Sequence, residues 1–315
     1  MTSVHRTRSQ KTYDRKHAGP RGDRPSLHGR TRFRPDELIE RTLEGTATTG
    51  ALSTGLSDFD ALTGALSAGQ LIFGAGRPAM GKSAWAEHVV IDVGLRQNLP
   101  VLYFTLDFSA AELVTRMVAA EARVEMPLLK RGALEAWHTA AIRAAAERMS
   151  QAPLFIDETP SPSIDHIVAR CRQQGKDTGL LLIVVDHLHL ISRPEGTGAW
   201  SRRIAEVCLR LKAIARELGV PSLCLSELNR GPENRSDHRP MMWDLKNAGA
   251  VEVAADIIGF LYRDRTYQQQ DTPDDRRGIA ELIVVKKKSG RIETVELQFD
   301  ALHRRFDDVN VETTA

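Results

Sequence analysis

Gly76-Arg77-Pro78-Ala79-Met80-Gly81-Lys82-Ser83 fits the pattern G-x-x-x-x-G-K-[ST] at every fixed position. The apolar run Leu71 to Ala75 precedes it, and an amphipathic segment starting near Lys82 follows. Strand, Gly-rich turn and helix in that order point backbone N–H groups at the β-phosphate of a nucleoside triphosphate. Lys82 then reaches the β- and γ-phosphates, and the Ser83 hydroxyl can ligate Mg2+. The eight residues are therefore the expected nucleotide-binding set, with ATP and Mg2+ as cofactors. A chance Gly-rich loop has no reason to lie between two such elements.

The segments on either side give the fold class. Short apolar runs at Val101 to Leu106, Leu154 to Ile156, Leu180 to Val185, Ser222 to Leu225, Ile257 to Leu261 and Leu282 to Val285 read as strands. Helical patterns lie between them. Ser109-Ala110-Ala111-Glu112 is a capping box, and Ile164, Ile167, Val168 and Cys171 recur at helical spacing. Trp200, Ile204, Val207, Leu211, Ile214 and Leu218 do the same and are stopped by Gly219 and Pro221. Strands alternating with crossover helices predict an α/β fold with a mainly parallel sheet covered on both faces. Ligand loops then fall at the carboxyl ends of the strands.

Leu180-Leu181-Leu182-Ile183-Val184-Val185-Asp186 is the second chemical landmark. A buried strand that delivers one acid to the sheet edge places Asp186 where it can hold Mg2+ directly or through water. An ordinary turn-initiating aspartate is the plainer reading; the upstream phosphate loop favours the metal. His187 and His189 could suggest a metal pair. Alternating with Leu188 and Leu190, they read better as one polar face of the strand end.

Composition bounds the remainder. The chain has 315 residues, 42% hydrophobic and 27% charged, with a net charge of +2. Residues 1–34 hold ten Lys and Arg against Asp14 and Asp23, a local charge of about +8 that leaves the remainder near −6. Almost no apolar residue accompanies those charges, so residues 1–34 are expected to be a disordered basic arm. Such an arm suits phosphate backbones or acidic partners, or serves only as a solubilising tail. Pro35 to Leu43 places Leu38, Ile39 and Leu43 on one helical face, and Gly45 to Gly50 forms a small-residue linker. No secretory h-region or membrane span is present, so a cytoplasmic protein with no membrane partner is expected. Cys171, Cys208 and Cys224 are odd in number, widely spaced and set in apolar patterns, as reduced core thiols are.

Six segments, in order, resemble the motifs of the DnaB-type replicative helicase family. They are Ser57-Asp58-Phe59-Asp60, Gly76 to Ser83, Thr105-Leu106-Asp107-Phe108-Ser109, Val185-Asp186-His187-Leu188, Leu225-Ser226-Glu227-Leu228-Asn229-Arg230 and Arg239-Pro240-Met241-Met242-Trp243-Asp244-Leu245. The resemblance covers residues 51–308, with Pro35 to Leu43 similar to part of the family's linker helix, 35–50 together forming linker helix and linker, and 309–315 a tail. It implies a RecA-like P-loop NTPase core that assembles into a homo-hexamer. Such a ring threads single-stranded DNA and moves 5′ to 3′ on ATP. The family's amino-terminal domain, which docks primase, has no match here, so primase docking is not expected.

The resemblance also assigns residues, with departures. Asp107 stands where the family has the glutamate that orients the attacking water, and one methylene fewer retracts the carboxylate by on the order of 1.5 Å. Glu227 occupies the place of a γ-phosphate-sensing glutamine, where an anion is expected to be repelled unless protonated or metal-bound. Lys288 takes the place of a trans-acting arginine and keeps the charge without the bidentate fork. These three catalytic positions imply slow ATP turnover. Lys246, Asn247 and Gly249 match the loop that grips successive DNA phosphates. A second loop, Arg193 to Arg203, could line the pore, with Trp200 either a base-stacking residue or, as the stronger reading, a core residue at a helix start. Two other classes remain open. One is a RecA-like switch or loader that binds ATP and a partner without unwinding. The other is a DNA-binding module in which ATP only closes a ring.

Overall fold

All six residues of Leu71–Gly76 (β1) are buried, yet they alternate between two cores. Ile72 packs into one core, while Leu71, Phe73 and Ala75 pack into the other. That is the period-2 geometry of a strand covered on both faces. The computed structural model describes residues 51–192, 200–267, 278–288 and 291–309. The chain divides into Met1–Ala47 and Thr48–Ala315, and all described residues belong to the second unit. The expected basic arm, the Pro35 to Leu43 helix, the Gly45 to Gly50 linker and residues 310–315 lie outside the described residues.

From Ser57–Thr63 (α1) the chain enters β1, turns through the phosphate loop and continues as Lys82–Ile91 (α2), extended by a π turn at Asp92–Arg96. Then follow Val101–Thr105 (β2), Ala110–Ala122 (α3), Met126–Arg131 (α4), Ala136–Gln151 (α5) and Leu154–Asp157 (β3). Ile164–Thr178 (α6), Leu182–Asp186 (β4), Trp200–Leu218 (α7) and Ser222–Glu227 (β5) come next. The order closes with Ala248–Ala254 (α8), Ile257–Tyr262 (β6), Asp264–Tyr267 (α9), Ile279–Lys287 (β7), Thr294–Asp300 (β8) and Arg305–Asp308 (β9). The sheet order is β3-β2-β4-β5-β1-β6-β7-β8-β9. Its first six strands are parallel, and β7, β8 and β9 continue antiparallel. The expected mainly parallel α/β sheet is present. The last two strands were not anticipated, because β8 is half exposed and β9 spans only four residues.

Helix α2 covers one face with Trp85 and Val89, and α6 and α7 cover the other with Ile167, Cys171, Leu211 and Ile214. The three cysteines are free and buried. Ser109 caps α3 as expected, its hydroxyl accepting from the Glu112 N–H at 3.1 Å. Glu112 itself pairs with Arg116. Trp85 meets Phe59 edge-on, with centroids 5.7 Å apart. A Cβ on Gly74 would lie 2.5 Å from the indole of Trp85, so β1 and α2 pack this closely only around a glycine.

Candidate nucleotide site

The loop after β1 takes its shape from backbone freedom. Gly81, at the amino end of α2, has φ of +96°, and a Cβ there would also press on Phe306 at 3.1 Å. Both facts require glycine. The Lys82 ammonium rests on the Arg77 carbonyl at 3.1 Å. Burial lowers its pKa, opposed by the carboxylates of Glu227 and Asp186. Arg77 turns out of the loop to donate to the Leu228 carbonyl at 2.9 Å and to Glu233.

Lys82, Ser83, Asp107, Asp186 and Glu227 line one cavity of about 270 Å³. They come from the ends of β1, β2, β4 and β5, so the parallel register alone gathers them at one sheet edge. Asp186 is 4% exposed and accepts from the Tyr103 hydroxyl at 3.0 Å. Burial pushes its pKa up, while hydrogen bonds from Ser83 and Tyr103 and the charges of His187 and Lys82 oppose the rise.

Glu227 has partners of its own: Lys246 donates to it at 2.5 Å and His187 lies 4.0 Å away. The Lys246 hydrogen bond holds the Glu227 pKa below the usual carboxylate value. Lys246, matched by resemblance to the loop that grips DNA, thus reaches Glu227 at the nucleotide edge. An isolated bridge between Leu228 and Leu245 ties the two segments together and sets this pairing. Asn247 has φ of +60° at the start of α8, and Gly249 has open space around it. Trp243, three residues before Lys246, is 68% exposed.

Two placements differ from the sequence reading. The strand ends at Asp186, and the histidines belong to the turn that follows, His189 within the 3-10 turn Leu188–Leu190. They do not form one face of a strand end. Lys288 follows β7, which runs antiparallel to β6 and pairs Lys287 with Ile257. It therefore sits at the amino edge of the parallel strands and pairs with Asp256, far from its own phosphate loop. Trp200 opens α7, and its side chain lies outside the described residues, as does residue 193 and the rest of the loop to 199. Among the described residues, no group of three or more His, Cys, Asp or Glu could hold a metal.

The cavity also holds residues that the sequence reading missed. Arg116 of α3 stacks on Phe108 with its guanidinium 3.4 Å from the ring centroid, and both line the site. Arg304 reaches the same cavity from the β8–β9 turn. Glu87, 1% exposed on α2, lies 3.6 Å from Arg116 and 3.3 Å from Arg304. A lone acid one turn after Ser83, within an apolar helix face, was the available signal for Glu87. Arg304 had none, since its turn lies between strands that were not anticipated.

A phosphate loop at the carboxyl end of a central parallel strand, with a buried acid at the end of β4 beyond β5, defines a P-loop NTPase of the RecA-like class. Within that class the chain belongs to the DnaB-like helicase C-terminal domain family, whose model matches residues 51–308. It is 35% identical over 256 residues to the replicative DNA helicase DnaB of Leifsonia xyli subsp. xyli, covering 81% of this chain and 55% of that protein. It is 36% identical over 271 residues to DnaB of Geobacillus stearothermophilus, covering 82% of this chain and 58% of that one. The chain thus spans little more than half the length of these relatives. A solved DnaB-like replicative helicase, described with its primase interactions, superposes with a TM-score of 0.78 at 26% identity, covering 87% of this chain and 66% of that one.

Proposed function

We propose that this chain is an ATP-hydrolysing motor that acts on single-stranded DNA as a 5′ to 3′ helicase within a homo-hexameric ring. The observation that carries the reading is the shared cavity. Lys82 and Ser83 of the phosphate loop meet Asp107, Asp186 and Glu227 in one enclosure, and Glu227 is joined directly to Lys246 of the expected DNA loop. A γ-phosphate arriving beside Lys82 meets the Glu227–Lys246 pair, so nucleotide state and the DNA loop share one electrostatic contact. Trp243 adds an exposed aromatic face nearby, the kind of surface on which unpaired bases stack.

Mg2+ fits the donors present. A Ser83 hydroxyl within hydrogen-bonding reach of a buried carboxylate supplies hard oxygens, and without a protein cage the ion would rely on phosphate oxygens and water, as Mg2+ prefers. Ser83 and Asp186 would hold it, and the bound ion neutralises charge on the phosphates. Asp107 orients water, and Lys82 and Arg116 face the phosphates. Residues 51–308 form the motor, with the basic arm and linker segment before it. No helix among the described residues is long and apolar enough to cross a membrane.

Steady-state ATP hydrolysis with and without single-stranded DNA, followed by strand displacement on substrates with a 5′ or 3′ overhang, tests the reading. DNA-stimulated turnover with unwinding from the 5′ overhang is expected. ATP binding without DNA-stimulated turnover would favour the switch or loader, which Asp107 and the closed Glu227–Lys246 pair also suit.

A further inference from the structure

Beneath the nucleotide cavity, three elements meet through a buried charge cluster: Glu87 from α2, Arg116 from α3 and Arg304 from the β8–β9 turn. Arg116 is held on three sides. It pairs with Glu112 at 2.8 Å, lies 3.6 Å from Glu87 and stacks on Phe108. Arg304 is not. Its Nη2 is 3.3 Å from each Glu87 oxygen, and its buried Nε has no hydrogen-bond partner among the described residues. A guanidinium whose function is only to cross-link would normally fill its donors.

The backbone adds a second, independent sign. Arg304 has φ of +57°, a conformation that L-residues other than Asn or Asp rarely adopt. The turn is braced on Asp300, which accepts from the Leu302 N–H at 3.0 Å and from the His303 N–H at 3.2 Å. Turn and conformation together place a guanidinium with an unpaired Nε at the wall of a cavity that already holds Lys82.

We propose that Arg304 is a phosphate-binding residue of the nucleotide pocket, acting from the same subunit, and that Glu87 is the positioning residue that aims it. The proposal rests on the nucleotide reading of the cavity and adds a cation which that reading does not contain. Glu87 reaches no ligand itself. Its carboxylate bridges two guanidinium groups, so that one acid orders two cations at the pocket wall. The arrangement supplies a guanidinium in cis in a chain whose resemblance-assigned trans cation, Lys288, lacks one.

Titration calorimetry with MgATP at pH 8, alongside melting of the nucleotide-free protein, tests both roles. Arg304→Ala is expected to weaken MgATP by about tenfold to a hundredfold, the range for a lost charged hydrogen bond, measured at a temperature where the apo variant is folded, since it also takes a counter-charge from buried Glu87 and lowers the apo melting temperature. Arg304→Lys should recover part of the loss. Glu87→Gln should also weaken binding, although it removes a negative charge from beside the phosphates. Unchanged affinity in Arg304→Ala would overturn the binding role and leave a structural ion pair. Tighter binding in Glu87→Gln would overturn the positioning role, because charge removal alone would then account for Glu87. Lys82→Ala serves as the control that loses binding in either case. A native chain that binds no MgATP would overturn the nucleotide reading itself and this inference with it.

Discussion

Glu227 shows how one substitution rearranges its surroundings. A carboxylate at the end of β5 faces the phosphate loop, and Lys246 answers it from the loop beyond Trp243. Glu227 and Lys246 thus form a pair that must loosen before Lys246 can serve DNA, and each charge lowers the cost of the other. Asp107 lines the same cavity. Its carboxylate falls short of a glutamate by on the order of 1.5 Å, and a displacement of that size can cost roughly 10²-fold in rate. Asp107→Glu is therefore expected to raise kcat for ATP with little change in KM, measured in steady state with single-stranded DNA. A lower kcat would mean that the pocket is shaped around aspartate or that the carboxylate does not orient water.

At the scale of elements, two contacts of α2 are open to test, one apolar and one charged. The apolar contact is Trp85 over Gly74 of β1. Gly74→Ala places a methyl 2.5 Å from the indole in a filled core, so it should destabilise by about 1–3 kcal/mol and lower Tm by several degrees. An unaltered melting curve would show that the indole has room to retreat.

The charged contact is Glu87. Burial raises its pKa from 4.5 to about 7, against the nearby charges of Arg304 and Arg116, while Asp186 reinforces the rise. The folded chain then binds this proton more tightly than the unfolded chain does. Glu87's contribution is fully present below about pH 4.5 and is lost as pH rises through about 7. The Tm of Glu87→Gln relative to the native chain should therefore shift in favour of the variant between pH 5 and pH 8. A difference that is flat across that range would mean that Glu87 titrates normally.

For the whole molecule, the decisive fact is which edge of the sheet each cation occupies. The phosphate loop lies at the carboxyl edge of the parallel strands and Lys288 at the amino edge, so no motion of one sheet brings them together. If Lys288 serves a nucleotide, it serves a neighbour's. Lys288→Ala and Lys82→Ala should each be inactive alone, the first by depriving a neighbour and the second by emptying its own pocket. Mixed rings then contain some competent interfaces, and ATPase activity should partly return on mixing. Assembly of both variants without any recovery would assign Lys288 to its Asp256 ion pair alone.

The sequence by itself determined the phosphate loop, the acid at the end of β4 and the parallel α/β core. Each depends on local pattern, a Gly-x-x-x-x-Gly-Lys-Ser turn or an unbroken apolar run, and a local pattern survives reading in one dimension. The antiparallel extension was harder to see, because β8 alternates exposed with buried residues and β9 is only four residues long. Tertiary structure alone decided the Glu227–Lys246 pair, since 19 positions separate the partners and a bridge between Leu228 and Leu245 sets their register. It likewise decided the cluster at Glu87, where Arg304 arrives from 217 positions away. Charges so distant in sequence leave no periodic trace; they meet because burial of an ion is tolerated only where the fold brings its counter-charge.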